Sequence, residues 1–198
     1  MSRHWLLFYF LFGLSTVAQA QSSTSTPERE YTPVWLPRGA FLGSYLRGGT
    51  VTPQARIQWQ LTVFQDRKDA LVLVLEGGGG FAVALPDTVV AGADEPIDSF
   101  HEHTVQVGGG YRNQSPSGFH WGFQVTAGPL WYGAHLRNLP DERYSAGLLE
   151  GRVHLGYQLG RVALGVSGGY GEPFSYRRRS VAAPYAGGLL LGVFADWR

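Results

Sequence analysis

The sequence has no cysteine, one methionine and a single lysine, Lys68. Without cysteine no disulfide can staple the fold, and zinc–thiolate centres are excluded. A membrane-spanning helix needs ~20 predominantly apolar residues. The apolar run over residues 5–12 is too short for that, and Gly13, Ser15 and Thr16 interrupt it soon after. Charge is also scarce, at 16% of residues, and balanced. Of the 16 basic residues one, Arg3, lies in the first twenty; the other 15 match 15 acidic ones, a net of zero. A neutral chain with no basic stripe carries no electrostatic footprint for nucleic acid, and no nucleic-acid partner is expected.

The first twenty residues read as a secretory signal. Arg3 and His4 give a basic start, the short apolar run follows, and Ala18-Gln19-Ala20 is a small-residue cleavage site. The expected organisation is a signal peptide over 1–20, a polar leader over 21–38 and one domain over 39–198. The leader opens QSSTSTPERE, which has neither a helical nor a strand period.

What the chain does have is alternation, with 28 glycines and an aromatic content of 14%. In ARIQWQLTVF, residues 55–64, Ile57, Trp59, Leu61 and Val63 alternate with Arg56, Gln58, Gln60 and Thr62. Strand side chains point alternately to opposite faces, so this is one two-faced strand. The pattern recurs over residues 70–85, 101–112, 118–128, 146–159, 161–171 and 184–198, with a weaker first strand near 39–47. The count is about eight. Short turns at 65–69, 113–117 and Gly160 alternate with longer connections at 86–100, 136–145 and 172–183, while the first long-side connection, 48–54, is modest. The expected fold class is all-β, an antiparallel up-and-down transmembrane β-barrel of about eight strands. If the third and fourth strands pair across 86–100, the glycine runs 77–80 and 108–110 fall roughly opposite each other, to bend the strands or make room for bulky neighbours.

Period alone does not say which face meets water. Three observations favour lipid on the apolar side. Trp121 and Trp131 lie ten positions apart on one face, and Tyr185 and Trp197 bracket the last strand likewise. At ~3.4 Å per residue and a tilt near 45°, ten residues climb roughly 24 Å, about the height of the apolar band of a membrane barrel. Tyr111, Trp121, Trp131, Tyr157, Tyr170, Tyr185 and Trp197 are therefore expected at the membrane–water interfaces. The polar rows are rich in Gln, Thr, Gly and Ser, where a solvated surface would intersperse Lys and Glu. The apolar rows would overfill a narrow barrel, whereas the polar rows fill it comfortably. Glu76, Glu150, Arg152 and His154 then face inward, and charges there must pair or be hydrated, so an interior ion-pair network with Arg152 as its hub is expected.

In this layout (signal, alternating strands, short and long connections, aromatic belts) the chain from about Gly39 resembles the small outer-membrane β-barrel proteins of the OmpA/OmpX type. No diagnostic motif carries functional residues across. The resemblance implies a bacterial outer-membrane location, a monomer, contact with outer-membrane lipids including lipopolysaccharide, and insertion by the barrel-assembly machinery. That machinery reads a terminal aromatic residue in this family; here the aromatic, Trp197, stands one place before the end. The peptidoglycan-binding domain that some members carry is not expected.

Several local patterns invite sharper chemistry. Gly165-Val166-Ser167-Gly168-Gly169 matches the nucleophile elbow of serine hydrolases, but the elbow needs a strand-to-helix turn and Ser167 lies within an alternating strand. His101-Glu102-His103 sets two imidazoles on one strand face, about 7 Å apart, without an evident third metal ligand. No Gly-Lys-Ser/Thr follows either glycine run, which argues against a phosphate loop. Arg177-Arg178-Arg179 in the last long loop offers guanidinium groups to lipopolysaccharide phosphates, or is a solvated loop. No metal or cofactor is expected. The leading reading is a non-enzymatic outer-membrane barrel, structural or surface-interacting through its loops. The rivals are a membrane-embedded enzyme acting on lipid A or phospholipid, a narrow porin-like channel and, more remotely, a soluble ligand-holding barrel.

Overall fold

Eight strands follow from the alternation. The computed structural model describes residues 36–47, 50–66, 68–83, 97–136, 140–175 and 182–197. The expected signal, most of the leader, and Arg177, Arg178 and Arg179 lie outside the described residues. The strands are β1 (Gly39–Arg47), β2 (Thr50–Asp66), β3 (Asp69–Val83), β4 (Ile97–Gln114), β5 (Phe119–Leu136), β6 (Glu142–Leu159), β7 (Val162–Phe174) and β8 (Gly188–Trp197). Each pairs antiparallel with its chain neighbour, and β1 pairs with β8, so the sheet closes into a barrel. No described helix is long and apolar enough to cross a membrane. The described helical element is one 3-10 turn, Ala183–Tyr185.

The faces sort as lipid-side apolar and inside polar. Leu42, Val153 and Val166 are 60%, 54% and 58% exposed, whereas Arg56, Glu76 and Glu150 are 2%, 1% and 1% exposed. Inversion of this kind marks a barrel built for a hydrocarbon solvent. In β2 the outward row runs through Ile57 until a bulge between Thr62 and Phe64 shifts the register by one. Val63 and Phe64 are therefore both exposed, and Phe64, not Val63, pairs with Leu71.

The two ends of the barrel differ as expected. Residues 67–68, 115–118 and 160–161 make the short turns; residues 84–96, 137–141 and 175–187 make the longer connections at the opposite, loop end. The first loop-end connection is shorter than expected, because Thr50 to Gln54 belong to β2 and residues 48–49 alone join β1 to it.

The glycine runs need correcting. Gly78 stands opposite Thr104 and Gly110 opposite Val72, so the runs are offset from each other along β3 and β4. Each faces a different neighbour: Gly78 pairs with Arg56 on β2, and Gly110 with Gln124 on β5. The role of making room holds. A Cβ on Gly78 would lie 2.7 Å from both Cα and Cγ of Arg56, and one on Gly169 would lie 2.7 Å from Cγ of Arg152. Inward glycines thus lie beside the long charged side chains that fill the lumen.

This complementarity is open to direct test. Gly78→Leu should destabilise the barrel by about 1–3 kcal/mol through overpacking against Arg56. Gly151→Ala, where an added Cβ meets nothing within 4 Å, should leave stability unchanged. Urea unfolding of both variants in detergent micelles measures the difference.

Candidate functional site

The lumen is the structural centre, and it is layered. At mid-height Arg56 from β2, Glu76 from β3, and Glu150 and Arg152 from β6 form a closed cycle of alternating charge. Arg56 Nη1 donates to Glu76 Oε1 at 2.9 Å and to Glu150 Oε1 at 2.9 Å. Arg152 Nε lies 2.9 Å from Glu150 Oε1, and its Nη2 donates to Glu76 Oε2. Two cations and two anions cancel, which satisfies the requirement that buried charge be paired and hydrogen-bonded. Tyr45 from β1 joins the cycle: its hydroxyl donates to Glu150 and accepts from Arg56 Nη2 at 2.8 Å. The Phe41 ring backs both cations, 6.0 Å from Cζ of Arg56 and 5.1 Å from Cζ of Arg152.

The expected network is therefore present at three of its four residues, with corrections. Arg152 is not a sole hub; Arg56 bridges both carboxylates and Tyr45. Sequence reasoning passed over Arg56 although its parity in ARIQWQLTVF matches Gln58, and that parity was the available signal. His154 faces inward but sits below the cycle, its ring edge-on to Phe194 at 5.6 Å. Glu102 was also missed as a lumen carboxylate; it is 2% exposed and accepts from Gln54 Nε2 at 2.6 Å.

Toward the loop end the lumen turns apolar. Phe100, Leu130, Tyr132, Ala134 and Leu148 pack with Ala182, Ala183, Tyr185 and Ala186 from the last connection. Tyr185 is here a correction: it was expected in an outer belt, but it is 2% exposed, with its ring 6.2 Å from Phe100. The strand alternation does not reach it. Residues 183–185 form a 3-10 turn, and Gly187 and Gly188, at φ 70° and 112°, turn the chain as β8 begins at Gly188. Arg47 Nη1 donates to the Ala186 carbonyl at 2.6 Å and ties this plug to β1.

Toward the short-turn end, Phe41, Gln58, Gln60, Gln124, Arg152, His154, Ser167, Phe194 and Asp196 surround a cavity of about 20 Å³. That is room for about one water. Ser167 pairs with His154 across β6 and β7. Its hydroxyl, however, donates to the Val153 carbonyl at 3.2 Å, and the His154 ring lies against Gly122 on the other side. Ser167 sits mid-strand with no elbow around it.

Outside, the remaining belt residues face as expected. Trp121, Trp131, Tyr157, Tyr170 and Trp197 are 39%, 46%, 50%, 53% and 37% exposed. Tyr111 stacks on Phe123 at 5.8 Å and meets Trp121 at 5.3 Å near the short-turn end. Trp197 pairs with Val162 at that same end, and Trp131 lies toward the loops. His101 and His103 face outward with ring centroids 6.1 Å apart, while Glu102 points inward between them. Among the described residues no group of three or more His, Cys, Asp or Glu side chains is arranged to hold a metal.

The layered lumen and apolar wall define an eight-stranded barrel of the membrane type. No protein-family model matches the sequence. No curated protein matches it either. Among solved structures, the crystal structure of Neisserial surface protein A (NspA) is similar in fold, with a TM-score of 0.54 and 11% sequence identity over 81% of this chain and 94% of that one.

The cycle makes a strong energetic prediction. Arg56→Leu leaves two buried carboxylates short of a cation and should cost about 3–5 kcal/mol. Tyr45→Phe removes one hydroxyl from the same cycle and should cost about 1–3 kcal/mol. Equilibrium unfolding of the folded barrel in detergent would rank the two, and equal effects would contradict the bridging role of Arg56.

Proposed function

We propose that the chain is an integral outer-membrane β-barrel, non-enzymatic and monomeric, that acts through its loop-end surface and its lipid-facing wall. The observation that carries this reading is the inversion of faces: leucines, valines and aromatics line the outside of a closed barrel whose centre holds two arginines and three glutamates. Alternation of short and longer connections orients it, with the short turns in the periplasm and the loop end outside the cell. The likeness to NspA, described as a Neisserial surface protein, is in keeping with a surface location. The partners under this reading are the outer-membrane lipids, lipopolysaccharide among them, and the barrel-assembly machinery during insertion.

The lumen speaks against the porin-like alternative. An apolar plug, a charge cycle and a one-water cavity succeed one another along the axis, as in eight-stranded barrels filled by their own side chains. The lumen therefore acts as a brace, and interaction belongs to the surface.

Outer-membrane fractionation, with gel mobility of unboiled against boiled protein, tests the location. The expected result is recovery in the outer membrane and a mobility shift on heating; a protein that stays soluble without detergent would refute the reading. In planar bilayers the purified barrel should be electrically silent, and steady unitary conductance would restore the channel.

A further inference from the structure

The outer wall near the loop end carries a group of basic side chains that the interior brace does not use. Four strands contribute one lateral row of outward residues: Phe81 on β3 pairs with His101 on β4, His101 with Gly133 on β5, and Gly133 with Arg143 on β6. The next row toward the middle of the wall holds Gly79, His103, Trp131 and Ser145 in the same order. Phe81, His103, Trp131 and Arg143 are all exposed.

Two glycines set the posture of the imidazoles. A Cβ on Gly133 would lie 2.7 Å from Cε1 and 2.8 Å from Nε2 of His101, so the bare glycine lets that ring lie across β5 toward Arg143. A Cβ on Gly79 would lie 2.6 Å from Nδ1 of His103, so this second ring leans the other way, over β3. Strands lie ~4.8 Å apart, so the Cα atoms of His101 and Arg143, two strands apart, are separated by roughly 10 Å across Gly133. Of the acids nearby, Asp141 is taken by His135 in an ion pair, while Asp98 and Glu142 are half-buried. Arg143 makes no ion pair or hydrogen bond among the described residues.

We propose that His101 and Arg143 form a cradle for the phosphate of an outer-leaflet glycolipid, a lipid A-type head group, whose acyl chains lie on the wall beside Trp131 and Val105. This rests on the outer-membrane placement argued above. Charge complementarity selects the anion: a guanidinium grips phosphate oxygens bidentately, and the His101 imidazole adds an N–H donor. Position selects a lipid over a soluble phosphate. The cradle is mounted on the lipid-facing wall at the height of Trp131, where an interfacial tryptophan marks the head-group level. Below it Val105, 46% exposed, continues the apolar surface.

The test uses the full barrel purified in detergent, titrated with diphosphoryl lipid A and, separately, with inorganic phosphate. Arg143→Ala and His101→Ala should each weaken lipid A binding about tenfold, as expected for loss of a hydrogen bond to a charged group. Arg143→Lys, which keeps the charge but loses the fork, should fall between. Gly133→Val, which displaces the His101 ring, should weaken binding as His101→Ala does, whereas Arg161→Ala at the short-turn end should change nothing. The heat-modified mobility shift of each variant reports whether it has folded, and Arg143→Lys and His101→Ala carry the test if one of the others does not. Undiminished lipid A affinity in folded Arg143 and His101 variants overturns the cradle, as does competition by inorganic phosphate at concentrations comparable to lipid A. Fractionation separates the two failures. A barrel found in the outer membrane that binds lipid A no differently in these variants defeats the cradle alone, and a barrel absent from that membrane defeats the placement itself.

Discussion

Everything in this molecule depends on the closure of the sheet between β1 and β8. Gly39 meets Asp196 and Leu46 meets Leu189, and with those pairs the described strands form one continuous ring of backbone hydrogen bonds. A sheet edge in hydrocarbon would leave N–H and C=O groups without partners, at several kcal/mol each. Once the ring is closed no such edge remains, and the apolar side chains are free to face outward. Closure also fixes the width of the lumen: eight strands leave an interior just wide enough for side chains.

That narrow interior explains the pairing of bulk with its absence. Arg56 and Arg152 span the lumen where Gly78 and Gly169 stand beside them, and Tyr45 reaches Glu150 next to Gly171. A charged side chain in so dry a place must meet its opposite, and the cycle of Arg56, Glu76, Arg152 and Glu150 meets that demand from three strands. The ion pairs cross-link β2, β3 and β6 through the centre as backbone bonds link neighbours around the circumference. The plug of Tyr185 and its alanines then closes the loop end with apolar contact.

The expectations that failed share a physical cause. Parity along a strand is a local property, and it was legible wherever a strand is long and regular: Trp121, Trp131, Tyr157, Tyr170 and Trp197 all face outward as the pattern required. Tyr185 broke the rule because it ends a 3-10 turn and two positive-φ glycines, Gly187 and Gly188, stand at the entry to β8, so the count of alternate residues starts later than the sequence implied. The glycine runs were expected roughly opposite each other, yet the register of β3 on β4 is set by the whole ladder and slides the runs past each other. The bulge at Val63 likewise hides in a run that looks like perfect alternation.

By itself the sequence determined that this chain makes two-faced strands of about the right number and, where the ladder is regular, which residues occupy each face. The reason is that side-chain direction in a strand repeats every two residues whatever surrounds it. Only the tertiary structure decided who meets whom across the lumen. Arg56 and Glu150 are far apart in the chain and become partners because β2 and β6 face each other across a closed ring, a relation that no local period encodes.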